Sequence, residues 1–303
     1  MNRLLNWSFI VAVSYMLAAC AGAGRSDVND YPPRIDTSLT ANDGVEIAVS
    51  TSGSGPLTLV FVPGWCLDQT YWEEQIYIFS QDYKTVTLDL PGFGKSGKDR
   101  SLYSIESYAD DIAVVIAKLR LNNVVLIGHS MAGDIILEAA QHNPYILALV
   151  GVDNFKDINT ELNDEMKSEI DRFMTMIQEQ YTEIAPSYAE SQLFHSQTDT
   201  IVKNKVLNDI RTADPHISTS VLQAVFDYSP KEKDRLSNLK QNLYLINSKL
   251  PKTNTKSLAA SGVNFKVWEI VGTGHYPMTE NPRAFNAHLQ EILNEISPAI
   301  AEK

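Results

Sequence analysis

The chain has 303 residues, with 25 basic against 37 acidic side chains and a net charge of −12. So acidic a surface argues against a nucleic-acid binder, which needs a basic face to neutralise phosphates. Two cysteines cannot build a disulfide framework, a 44% hydrophobic content excludes wholesale disorder, and six scattered histidines, no two of them four apart, argue against a helical zinc site.

Taken in chain order, Leu4 to Ala19 is mostly apolar, follows Arg3 and is interrupted by Asn6, Ser8 and Ser14. That run falls short of the roughly 18 residues a membrane span needs, and it predicts a secretory signal. It ends in Leu17-Ala18-Ala19-Cys20, which resembles the bacterial lipobox. The resemblance implies a signal peptide over 1–19, cleavage before Cys20 and lipidation (palmitate) of its thiol. The mature chain would then be held on a lipid bilayer of the bacterial cell envelope by acyl chains. Ala21 carries no strong inner-membrane signal, which favours the outer membrane. An ordinary signal peptide containing a Cys is the alternative. Residues 20–36 are small, polar and Pro-bearing, which suits a tether.

Strands are expected over Ser38–Ala41 and Val45–Thr51, flanking the turn residues Asn42-Asp43-Gly44. Further apolar runs cover Leu57–Val62, Thr85–Leu90, Val124–Ile127, Leu147–Val152, Leu243–Ile246 and Phe265–Val271. Such runs are continuous rather than alternating, so both faces of the strands are buried, as in a parallel sheet under helices. Helices are expected over Ile105–Leu119, Met131–Gln141 and Asn281–Ile296. From about Phe155 to Pro230 no strand is evident. Met166, Ile170, Phe173, Ile177 and Tyr181 mark one helix, and Val221, Leu222, Val225 and Phe226 a second. An all-helical insertion there predicts a lid over the carboxyl edge of the sheet, where ligands bind.

Chemistry concentrates at three loops. Val125-Leu126-Ile127-Gly128-His129-Ser130-Met131-Ala132-Gly133 is a strand, a tight turn and a helix start, the pattern of a nucleophile elbow with Ala132 in place of the second glycine. A Ser nucleophile needs a base, and His275 on the Gly-rich loop Val271–Pro277 is placed to supply it. An oxyanion needs donors. The Met131 N–H follows the nucleophile at a helix start. The second candidate is the Trp65 N–H, in Val62-Pro63-Gly64-Trp65-Cys66. His129 reads as structural, Cys66 as a small buried side chain, and His142, His195, His216 and His288 as surface or lid residues.

With these landmarks, and Asp89-Leu90-Pro91-Gly92-Phe93-Gly94-Lys95-Ser96 besides, the chain from about Thr40 resembles the lidded serine-hydrolase branch of the α/β-hydrolase superfamily. Pro63 stands where that family usually has His. The resemblance implies an α/β fold, a mostly parallel sheet with helices on both faces and a helical lid after strand 6. Its core would be 37–154 and 231–303, its lid 155–230. The glycines of 92–97 match neither a phosphate loop nor a dinucleotide site, because position 89 is Asp and no helix opens on them.

In most of the superfamily the catalytic acid follows the strand that here ends at Ile246-Asn247-Ser248, but no Asp or Glu lies between Arg235 and Trp268. Some members place it one strand earlier, which here is Asp153. Asp157 is the nearest alternative acid, and Asn247 an alternative partner for the histidine. The resemblance thus implies a triad of Ser130, His275 and Asp153 cleaving an ester or related acyl bond of a small-molecule substrate through an acyl-enzyme, as in esterases and lactonases. No cofactor, metal or nucleic acid is implied. The rival expectation is a non-catalytic lidded binding or sensor protein on the same fold.

Overall fold

The expected apolar runs become strands of one sheet in the computed structural model, which describes residues 31–158 and 163–297. The chain divides at Tyr31 and Pro32, and the architecture below is that of the unit from Pro32 onward. Cys20 and the expected signal segment lie outside the described residues.

The strands are β1 (Ile35–Thr40), β2 (Glu46–Ser52), β3 (Thr58–Val62), β4 (Lys84–Leu88), β5 (Val124–His129), β6 (Ile146–Val152), β7 (Asn242–Ser248) and β8 (Phe265–Ile270). They pair in the order β1-β2-β4-β3-β5-β6-β7-β8, and every pairing from β4 to β8 is parallel. Only β1 and β2 enter antiparallel. Every residue of β3 and β5 is buried, as continuous apolar runs require.

Between the core strands run α1 (Glu73–Phe79), α2 (Ile105–Lys118) and α3 (Ala132–Ala140). The chain steps from β3 to β4 in one direction and from β4 to β5 in the other. Right-handed crossovers therefore put α1 on one face and α2 and α3 on the opposite one. Four helices, α4 (Asp164–Glu179), α5 (Tyr181–Gln192), α6 (Thr200–Thr212) and α7 (Pro215–Ser237), are inserted between β6 and β7 as the lid. Then follow α8 (Thr255–Ser261), α9 (Pro277–Glu280) and α10 (Pro282–Ile296), the last packed against α1.

Two boundaries differ from the sequence reading. The tether assigned to 20–36 overlaps β1, which begins at Ile35. Composition hid this, because the segment is fixed by polar contacts: Arg34 donates to Gln69 at 2.7 Å and to Ser50 at 2.8 Å. The lid boundary at 230 falls inside α7, which runs through Pro230 to Ser237. Proline costs a helix interior about 3 kcal/mol. Contacts on both sides of it hold α7 to the elbow helix: the Tyr228 hydroxyl and the Arg235 guanidinium each donate to Glu138 of α3 at 2.8 Å. Helices α5 and α6 were not expected: Tyr181, read as the end of the first lid helix, instead opens α5, whose other buried residues (Ala185, Pro186 and Ala189) are small, and the buried Val206, Leu207 and Ile210 of α6 are too few to make a visible stripe.

The same α3–α7 seam carries a buried carboxyl pair. Asp134, in the first turn of α3, is buried and faces Glu232 of α7. Burial first, and the Glu232 charge second, raise Asp134 well above its ordinary value of 3.8, and burial raises Glu232 as well. A carboxyl with a raised folded pKa holds its proton longer in the native state than in the unfolded chain. Stability therefore falls as pH rises from the unfolded value toward the folded one, and is flat beyond. Asp134→Asn is expected to raise the Tm at pH 8 by about 3–6 °C, a gain that shrinks toward pH 4. Thermal melts across that range check it; equal Tm values for the two proteins at every pH would refute the account.

Candidate active site

Ser130 sits at the end of β5 with φ +55°, the left-handed region that non-glycine residues adopt only when the surrounding structure enforces it. The enforcement is local. The Ser130 N–H bonds the Val152 carbonyl at 2.9 Å, and the Ser130 carbonyl accepts from the Gly133 N–H at 2.8 Å as α3 begins. Strand and helix approach so closely that a Cβ on Gly128 would lie 2.4 Å from the Ala132 carbonyl oxygen. The departure from the usual glycine at 132 is thereby explained: the close approach falls at Gly128, and the Ala132 methyl has a buried place of its own.

Parallel register brings the remaining groups to the same edge. His129 pairs with Val152, Val152 with Ile246, and Ser248 with Ile270, so the loops after β5, β6, β7 and β8 leave the sheet side by side. His275 Nε2 lies 2.7 Å from Ser130 Oγ, and His275 Nδ1 lies 2.7 Å from Asp153 Oδ2. With Nδ1–H donating to the carboxylate, Nε2 is the acceptor facing the serine hydroxyl. The structure thus brings Ser130, His275 and Asp153 into one line, while Asp157 is exposed. Asn247 turns away: its amide nitrogen donates to the Asn154 carbonyl at 3.1 Å and to Thr253 Oγ at 3.0 Å.

Asp153 is buried among donors that sequence reasoning missed. Its Oδ1 accepts from the Ser248 N–H and from the Ser248 hydroxyl, each at 2.7 Å, and the Lys156 ammonium lies 2.7 Å away. Burial alone would push this carboxyl up. The His275 hydrogen bond and the charges of His275 and Lys156 outweigh it and hold Asp153 well below the usual carboxylate range. Ser248 thus stands at the end of β7, where the acid is usually found, as a donor to the acid carried by the neighbouring strand. A Lys three residues after an Asp in a loop gives no sequence signal of this contact.

The histidine loop is fixed from three sides. Glu280 accepts from the Gly274 N–H at 2.8 Å and from the Tyr276 N–H at 3.0 Å. Leu193, after α5 of the lid, accepts from the His275 N–H at 2.7 Å. His129 Nε2 donates to the His275 carbonyl at 2.7 Å, which fixes its tautomer. Burial, with the adjacent His275 adding to it, pushes His129 down to about 3, so its ring stays neutral. The reading of His129 as structural agrees with this. His195, expected as a surface or lid residue, lies between α5 and α6 of the lid, and with Lys156, Tyr188 and Phe194 it lines a cavity of about 400 Å³ beside Asp153 and His275.

Across the edge, the loop after β3 touches the elbow. A Cβ on Gly64 would lie 2.7 Å from His129 Nδ1 and 3.2 Å from Ser130 Cβ. Only glycine allows that approach, and it brings the next residue, Trp65, to the nucleophile. Among the described residues neither the Trp65 N–H nor the Met131 N–H has a protein acceptor. The Trp65 indole is tied to the lid, donating to the Ser218 carbonyl of α7 at 2.8 Å. Cys66 Sγ lies 3.4 Å from the Tyr181 hydroxyl and 3.5 Å from the Ser218 hydroxyl, and burial pushes its thiol up to about 12. A thiol so placed is packing, not a nucleophile. The glycines of 92–97 wrap the protein's own carboxylate instead of a phosphate: Asp89 accepts from the Lys95 and Gln69 N–H groups, each at 2.8 Å. Among the described residues no group of three or more His, Cys, Asp or Glu side chains is placed to hold a metal ion.

Sheet order, elbow and inserted lid define the α/β-hydrolase fold. The family described as alpha/beta hydrolase fold matches residues 58–191. The chain is 33% identical over 132 residues to a non-heme haloperoxidase of Rhodococcus erythropolis, covering 42% of this chain and 48% of that protein. It is 31% identical over 127 residues to a 2-(acetamidomethylene)succinate hydrolase of Mesorhizobium japonicum, covering 42% and 45%. The chain thus spans less than half the length of these curated relatives. Among solved structures, a thermophilic esterase of Thermogutta terrifontis aligns with a TM-score of 0.74 at 21% identity, over 87% of this chain and 99% of that one. The family match spans part of the chain, and the likeness to a solved structure at 21% identity shows the fold.

Proposed function

We propose that the protein is a serine hydrolase cleaving an ester or closely related acyl bond of a small molecule. The observation that carries this reading is the line of two 2.7 Å hydrogen bonds from Asp153 through His275 to Ser130 at the carboxyl edge of the sheet. In this reading His275 Nε2 takes the Ser130 proton as Oγ attacks the acyl carbon. The Trp65 and Met131 N–H groups receive the developing oxyanion. The protonated His275 then gives its proton to the leaving group, and an acyl-enzyme remains. Water, deprotonated by the same imidazole, attacks the acyl carbon, and the imidazolium gives that proton to Ser130 Oγ as the acid leaves. Trp65 and Met131 were expected as donors from the sequence, and their N–H groups, without protein acceptors among the described residues, suit the role. The lipobox-like Leu17-Ala18-Ala19-Cys20 supports a lipid-anchored location on the bacterial envelope, and Ala21, which carries no strong inner-membrane signal, favours the outer membrane.

The test is covalent. A fluorophosphonate probe is expected to label the protein once, with the adduct mapped by mass spectrometry to Ser130, and a short-chain nitrophenyl ester is expected to be turned over. Absence of both adduct and turnover would favour the non-catalytic binding protein.

A further inference from the structure

We propose that Lys156 is a positioning residue whose ammonium charge tunes the Asp153–His275 pair and keeps His275 a working base toward acidic pH. The proposal rests on the reading of Ser130, His275 and Asp153 as the reacting line.

Lys156 is surplus to the geometry it sits in. Asp153 Oδ1 already receives both the N–H and the hydroxyl of Ser248 at 2.7 Å, which satisfies that oxygen. The Lys156 ammonium adds a third donor at 2.7 Å and also donates to Ser248 Oγ at 2.7 Å. The contact is sheltered, the Lys156 and Asp153 side chains being 14% and 5% exposed. What the lysine contributes beyond hydrogen bonding is therefore charge in a site that screens it weakly.

The consequence follows from signs. A buried carboxylate beside an imidazole favours the imidazolium, which helps the transition state but competes with the neutral ring that must accept the Ser130 proton. A cation on the far oxygen of that carboxylate opposes protonation of the ring. The other titratable neighbours do not replace it. His129, at the end of β5, stays neutral. Tyr276, beside His275, is raised well above its ordinary value by burial. Glu280 is committed to the N–H groups of Gly274 and Tyr276. Tyr188 and His195 face the pair from the lid, across the 400 Å³ cavity. Lys156 is thus the one cation in contact with the pair among the described residues.

The experiment compares pH profiles of kcat/KM for ester hydrolysis in wild type, Lys156→Met and Lys156→Arg. The acid limb of Lys156→Met is expected to move to higher pH by on the order of one unit, and that of Lys156→Arg to stay with wild type. An unmoved limb in Lys156→Met, whatever the loss on the plateau, or an Arg variant that behaves like Met, would overturn the proposal. A second readout needs no turnover. The ring protons of His275, identified by their loss in His275→Gln, are titrated by NMR in Ser130→Ala with and without Lys156→Met. The same upward displacement supports the lysine's role, and its absence refutes it. Wild-type turnover in Ser130→Ala would sink the serine reading instead, which separates the two failures.

Discussion

Ser130→Ala is expected to lower ester turnover by about 10⁵–10⁶-fold, with His275→Ala costing as much and the double variant little more. The non-additivity follows from the geometry. The imidazole acts on the substrate only through the proton of Ser130 Oγ, 2.7 Å from Nε2, so removing either group abolishes the same step. What survives is the contribution of pocket and oxyanion donors, about 10³–10⁴-fold over water in comparable sites. Neither variant should disturb the fold. The left-handed turn at 130 is imposed by the backbone bonds of Ser130 to Val152 and Gly133, which alanine keeps. Purified variants checked by circular dichroism and assayed with a short-chain nitrophenyl ester settle the matter. Normal activity in Ser130→Ala would sink the mechanism, and strictly multiplicative losses would show that the two residues act separately.

Much of this was legible in the sequence because it lies in runs of residues with a short-range cause. Val124 to Ile127 has to be a buried strand, and Gly128 with Ser130 has to be a turn. Eight strands were expected, and eight are observed among the described residues. The Ser130 and His275 loops carry their own glycines and could be found without coordinates. What surrounds Asp153 could not, because its contacts depend on strand pairing and on loop conformation. Ser248 reaches it across a strand pairing, and Lys156 reaches it only because the backbone turns left-handed at Asp153 and again at Phe155, φ +51° and +49°. Half the lid was missed for a different reason. Helices α5 and α6 bury few large apolar residues and are held partly by polar contacts, such as the Tyr181 hydroxyl donating to the Ile210 carbonyl at 3.0 Å. Periodicity records apolar stripes and is blind to such contacts.

Asp153→Asn is expected to keep the fold while lowering turnover by roughly 10²–10⁴-fold. The surroundings of the side chain decide how the amide will lie. The N–H and hydroxyl of Ser248 and the ammonium of Lys156 all point at the Oδ1 position, so an asparagine must turn its carbonyl oxygen toward them. Its NH₂ group then faces His275 Nδ1. Two N–H donors cannot face each other at 2.7 Å, the distance that separates Asp153 Oδ2 from Nδ1. The ring must therefore accept at Nδ1 and carry its proton on Nε2, where Ser130 needs an acceptor. The variant is packed and hydrogen-bonded but holds the wrong tautomer, so the loss should fall on kcat/KM while the fold is kept. Asp157→Asn, at an exposed position entering the lid, is expected to change turnover little. A small loss in Asp153→Asn beside a large one in Asp157→Asn would assign the acid to Asp157 and leave the buried carboxylate a purely structural role.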